Sequence, residues 1–103
     1  MGILNTLVGK SNNKLKTYIG KDSVLLDVRT KNEFNQNHIN SSINIPLQEL
    51  NGRIKEIAKL NRPIVVYCAS GVRSAMAVQI LTQNRLDAIN GGSISKLRKA
   101  IRH

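Results

Sequence analysis

The chain holds one cysteine in 103 residues, so it can form no intrachain disulfide and no zinc cluster built on thiolates. Only two histidines are present, His38 and the terminal His103, and they offer no metal-ligand spacing, so neither a metal nor another cofactor is expected. Tryptophan is absent, and Tyr18, Phe34 and Tyr67 are the only aromatics, so the core must be built from Ile, Leu and Val. No apolar run approaches the roughly 20 residues of a membrane span, which predicts no transmembrane segment. The opening "MGILNTLVGK" lacks the basic leader and long apolar stretch of a secretory signal. It does fit the six-residue N-myristoylation pattern ending at Thr6, a pattern that arises often by chance. A free thiol without disulfides favours a reducing compartment, so a cytoplasmic location is expected.

Acidic residues are scarce too: six Asp and Glu face sixteen Lys and Arg, for a formal net charge of +10. That imbalance favours anionic partners such as nucleic acid, a membrane surface or a small anionic substrate. The bases are scattered, with one loose cluster in "KLRKAIRH" that reads as a solvated helix face. Without an aromatic stacking platform or a DNA-binding pattern, no specific nucleic acid is expected.

The apolar pattern changes period along the chain. "SVLLDV" (23–28) and "PIVVYC" (63–68) are continuous and rich in β-branched residues, as strands buried on both faces are. "INIP" (43–46) and "DAIN" (87–90) are shorter strand candidates. Leu47, Leu50, Ile54, Ile57 and Leu60 recur at helical steps, and Ala75, Met76, Val78, Ile80 and Leu81 predict a second, more buried helix. Asn12 or Asn13 is placed to cap a short helix carrying Leu15 and Ile19, and Ser93 to cap a last helix with Leu97 and Ile101 inward. Strands alternating with helices predict an α/β fold, a small doubly wound, mainly parallel sheet flanked by helices. One domain over residues 1–103 is expected, with residues 1–11 as a loosely packed N-terminal segment.

The stretch "VVYCASGVRSA" (65–75) carries the chemistry. Cys68 closes a strand, and a helix starts near Arg73. In open α/β sheets, ligands bind beyond the carboxyl ends of strands. The loop therefore sits at a helix N-terminus, where unpaired N–H groups and the dipole attract negative charge. Gly71 permits a positive φ within the turn, while Ala69 and Ser70 are small enough to leave its mouth open. Arg73 offers a planar fork of donors for an oxyanion. Ser74 is placed either to hydrogen-bond the sulfur or to help start the helix. A cysteine in that field is expected to have a depressed pKa and to act as a nucleophile.

Two blocks resemble the single-domain rhodanese-like sulfurtransferases: "LLDVRTKNEFNQNHINSSINIP" (25–46), and "VVYCASGVRSAMAVQIL" (65–81) followed by "INGG" (89–92). The resemblance implies a doubly wound α/β fold in which Cys68 takes a sulfane sulfur from a donor, becomes a persulfide and passes the sulfur to a thiophilic acceptor. Residues 69–73 (Ala69, Ser70, Gly71, Val72 and Arg73) would bind the substrate and the persulfide, with Arg73 in the loop-closing position. The implied partners are a small anionic donor such as thiosulfate, a thiol or cyanide acceptor, and a protein persulfide. Asp27, Arg29 and Glu33 read as supporting salt bridges and caps, and His38 as a hydrogen-bonded packing residue. Three departures stand out: Ala69 where many members carry a basic residue, Asn37 before His38 in place of glycine, and no tryptophan after the paired glycines.

Other functions remain for comparison. A phosphatase or arsenate reductase also uses a cysteine–arginine anion loop, but the related phosphatases place five residues between the two, and this chain places four between Cys68 and Arg73. A non-catalytic interaction module on the same fold would have no need to keep cysteine, glycine and arginine together.

Overall fold

The computed structural model describes residues 13–102. The expectations for the N-terminal segment, the Thr6 pattern, an Asn12 cap and His103 lie outside the described residues. A helix over 13–20, α1, buries Leu15 and Tyr18. Then follow β1 (Val24–Asp27), α2 (Lys31–Gln36), β2 (Ile43–Asn44), α3 (Leu47–Leu50), a 3-10 turn (Asn51–Arg53) and α4 (Ile54–Leu60). β3 (Ile64–Cys68), α5 (Val72–Gln83), β4 (Ala88–Ser93) and α6 (Ile94–Arg102) complete the order.

All four strands pair in parallel, in the order β2-β1-β3-β4. β3 is central, and all five of its residues are buried, as its unbroken apolar run requires. Its side chains alternate between two cores. Ile64, Val66 and Cys68 join Leu26, Val28, Ile45, Leu50, Ile57, Ala77 and Leu81 on one face. Val65 and Tyr67 join Leu15, Tyr18, Ile39, Ile89 and Leu97 on the other. Helices therefore cover both faces of the sheet, which is the doubly wound arrangement expected. The Tyr67 hydroxyl, carried into the second core, accepts from the Ile39 N–H at 3.1 Å and bonds Ser42 Oγ at 2.9 Å, so its burial leaves no polar atom stranded.

Three helical expectations need correction. The 47–60 pattern is not one helix: the Asn51–Arg53 turn divides it, and Leu60 is exposed at its end. In α5 the buried stripe is Ser74, Ala77 and Leu81, while Ala75 and Met76 face solvent. The apolar residues of that helix outnumber the positions its neighbours can cover, and a buried serine takes one of those positions. In α6 Ser93 caps as expected, its Oγ accepting from the Lys96 N–H at 3.1 Å, and Leu97 is buried; Ile101 is exposed instead. Among the described residues, no helix is long and apolar enough to cross a membrane.

The strand order reverses direction between β1 and β3. The chain leaves β1 toward β2 on one side and leaves β3 toward β4 on the other, which opens a crevice at their carboxyl ends. Asp27 and Cys68 end those two strands.

Candidate active site

Cys68 lies at the end of β3 with no exposed surface, beneath a turn whose Ala69 and Ser70 are exposed. Gly71, with φ of 97°, adopts the left-handed conformation that a side chain would resist, and this turns its N–H onto the Cys68 Sγ at 2.9 Å. The Ser74 N–H, in the first turn of α5, donates to the same sulfur at 3.4 Å, and the Ser74 Oγ lies 3.4 Å from it. Donors that the helix cannot satisfy internally thus converge on the thiol. Burial pushes the Cys68 pKa up, but the Ser74 hydroxyl and the amides of Ser74, Gly71 and Ser70 outweigh it and hold the value below that of an ordinary thiol. Of the two roles open to Ser74, the structure shows its hydroxyl against the sulfur, and α5 starts without a side-chain capping bond.

The other site residues take supporting positions. Asp27 and Arg29 are buried together, Arg29 Nη2 donating to Asp27 Oδ2 at 2.8 Å and the Arg29 amide to Asp27 Oδ1 at 2.9 Å. Pairing and hydrogen bonding are what make such buried charges tolerable at the crevice. Glu33 completes a capping box with Thr30 at the start of α2. Its carboxylate also receives both Arg73 nitrogens, at 2.8 and 3.1 Å. The Arg73 fork, expected to reach into the loop, is thus turned onto Glu33, and that bond above all, with the Thr30 amide, holds the Glu33 pKa down at about 2. Val72 contributes backbone to the turn while its side chain stands in solvent. His38 stacks on Phe34 with ring centroids 3.9 Å apart and bonds the Phe34 carbonyl, the packing role expected of it. Among the described residues, no three His, Cys, Asp or Glu side chains gather where a metal ion would sit.

Asn90 was not singled out by the sequence, yet it braces the loop. Its Nδ2 donates to the Gly71 carbonyl at 3.1 Å, and its Oδ1 accepts from Ser74 Oγ at 2.6 Å and from the Gly92 N–H at 2.9 Å. The register between β3 and β4 slips here, pairing Val66 with Asn90 but Tyr67 with Gly92, so Gly91 is the extra residue of a bulge. A Cβ on Gly91 would stand 2.8 Å from Val65 Cγ1, which is why this position is glycine. The paired glycines are the signal that could have pointed to Asn90, since a bulge beside a site re-aims its neighbour's side chain.

A parallel α/β sheet with a hydrogen-bonded thiol at its switch point defines a class of cysteine-loop domain. Residues 11–97 match the description "Rhodanese-like domain", and the chain belongs to that family. A rhodanese-related protein from Thermoplasma volcanium superposes with a TM-score of 0.70 at 34% identity, covering 85% of this chain and 87% of that one. A sulfurtransferase of Allochromatium vinosum is 34% identical over 84 residues, 79% of this chain and 78% of that protein. The uncharacterized protein YqhL of Bacillus subtilis is 45% identical over 60 residues, 58% of this chain, and the match spans 47% of its own length. Sulfur transfer is therefore the chemistry to which this chain's relatives point.

Proposed function

We propose that this chain, as a single rhodanese-like domain in the cytoplasm, is a sulfurtransferase that moves a sulfane sulfur through a persulfide on Cys68. The observation that carries the reading is the convergence of the Gly71 and Ser74 N–H groups on the Cys68 Sγ. With thiosulfate as donor, the Cys68 thiolate attacks the outer sulfur and forms a new S–S bond. The old S–S bond breaks, and sulfite leaves with its electron pair. The terminal sulfur then carries one negative charge, which the amides of the loop stabilise as an oxyanion hole stabilises developing charge. Cyanide or a thiolate attacks that terminal sulfur and regenerates the Cys68 thiolate, and a protein persulfide can replace thiosulfate as donor. Because the sulfur is buried, the Ala69–Gly71 turn must yield for a donor to enter. Arg73 assists an anionic donor after leaving Glu33.

The test is the intact mass of the reduced protein after incubation with thiosulfate, then with cyanide. The mass should rise by one sulfur atom and fall back, and Cys68→Ser should show neither change. With one cysteine in the chain, the adduct maps to a single atom. A protein that loads no sulfur from thiosulfate or polysulfide yet hydrolyses a phosphate ester would overturn the reading in favour of phosphatase chemistry.

A further inference from the structure

A hydroxyl has one proton, and Ser74 stands between two groups that can each use it. Ser74 is fully buried. Its Oγ lies 3.4 Å from the Cys68 Sγ and 2.6 Å from Asn90 Oδ1. The far side of the Asn90 amide fixes the direction of the second bond. The Gly92 N–H, which can only donate, meets Asn90 Oδ1 at 2.9 Å; the Gly71 carbonyl, which can only accept, meets Asn90 Nδ2 at 3.1 Å. Turning the amide over would set N–H against N–H and oxygen against oxygen, so Oδ1 faces Ser74 and Ser74 must donate to it. The Ser74 hydroxyl then offers Cys68 only a lone pair. That arrangement suits a thiol, whose S–H can donate to Oγ. It does not suit a thiolate, which needs the Ser74 proton.

We propose that Asn90 is a positioning residue that competes with the Cys68 thiolate for the Ser74 hydroxyl proton and so sets how readily Cys68 ionises. When the Cys68 proton leaves to solvent, the Ser74 O–H turns from Asn90 to the sulfur, while Asn90 Oδ1 keeps the Gly92 N–H. No covalent bond changes other than loss of the thiol proton. The charges around the sulfur are already balanced in pairs: Arg73 of α5 against Glu33 of α2, and Asp27 at the end of β1 against Arg29. Lys96 of α6 stands over Gly92, and Asn90 of β4, which bonds Ser74, is neutral. The adjustable partner is therefore the hydroxyl. This deepens the reading of Cys68 as nucleophile and rests on it, but thiol alkylation needs no sulfur donor, so failure here and failure of persulfide loading are separate results.

The experiment is the rate of iodoacetamide alkylation against pH for the parent protein, Asn90→Ala, Ser74→Ala and the double variant. Asn90→Ala should lower the midpoint by about half to one pH unit, the scale of one hydrogen bond. Ser74→Ala should raise it, and Asn90→Ala should lower nothing once Ser74 is alanine. A residue that merely tethers Gly71 would, when removed, slacken the Gly71 N–H bond and raise the midpoint. A rise or no change on Asn90→Ala, or an equal fall in both backgrounds, overturns the proposal. Should Ser74→Ala fail to fold, Asn90→Ala decides alone, because its side chain lies at the surface.

Discussion

The Cys68 pKa is lowered by hydrogen-bond donors of the loop, the Ser74 hydroxyl first and then backbone amides, rather than by a neighbouring charge. The sulfur lies fully buried, and burial alone would keep the thiol protonated; the Ser74 hydroxyl and the Ser74, Gly71 and Ser70 amides reverse that. The alkylation midpoint should therefore fall below the ordinary thiol value of about 8.5, and a midpoint at or above it would identify Cys68 as an inert core residue. The direction holds through the acid range, with thiolate lost only as the pH drops below the depressed midpoint. Most of this was legible in "CASGVRS": a strand end, a glycine for the positive φ and a helix start place a thiol in a field of amides. Asn90 was not legible, because it reads as the last residue of the short strand "DAIN", and only the bulge carries its amide over the loop.

Between elements, the Glu33–Arg73 pair joins α2 to α5 across 40 residues. Both side chains are about a third exposed, at 34% and 35%, so solvent screening limits the pair to about 1 kcal/mol or less. Glu33 is held down at about 2, so its contribution is complete above the ordinary carboxylate pKa and is lost as pH falls from there toward 2. Under the proposed function its weight is larger, because an anionic donor would have to win Arg73 from this carboxylate. Glu33→Gln, which removes the charge and keeps the shape, should lower the KM for thiosulfate several-fold and leave a neutral polysulfide unaffected. Equal change for both donors would remove Arg73 from donor binding. The partnership with Arg73 was not legible in sequence, where Glu33 reads with Asp27 and Arg29 as a supporting salt-bridge or cap residue. At the β3–β4 contact, Gly91→Ala should cost about 1–3 kcal/mol by overpacking, since the new Cβ meets Val65 at 2.8 Å and the Val66 carbonyl at 3.1 Å. A thermal melt would register that as a drop of roughly 4 °C or more, and an unchanged midpoint would mean that the bulge can relax. Strands and helices were legible from period and β-branching, but the buried stripe of α5 was not. Ser74 occupies a core position for the sake of the sulfur, and apolarity ranks Met76 above it.

At the scale of the whole molecule, the parallel order β2-β1-β3-β4 gathers the ends of β1 and β3, and hence two separated sequence blocks, into one crevice. The alternation of strands and helices made that architecture legible, while strand order depends on side-chain burial on both faces that no single segment displays. Charge acts on the same scale. The acidic side chains Asp27, Glu33, Glu49, Glu56 and Asp22 are each engaged by an arginine, and Arg98 holds Asn37 and the His38 carbonyl, yet the chain keeps a formal net charge of +10. The excess is carried largely by exposed lysines, and Asp87, bonded by the Tyr18 hydroxyl, is the one carboxylate that no arginine engages among the described residues. A divalent donor such as thiosulfate approaching this surface is drawn in from beyond contact distance, and the pull fades once the Debye length shrinks from about 30 Å at 0.01 M salt to about 8 Å at 0.15 M. The second-order rate of sulfur loading from thiosulfate should therefore fall several-fold over that range, measured by quenched-flow mass spectrometry. Loading from a neutral polysulfide should stay flat, which separates steering from any effect of salt on the loop itself. A thiosulfate rate independent of salt would mean that the donors around Cys68 alone set the encounter and that the basic surface answers to some other partner.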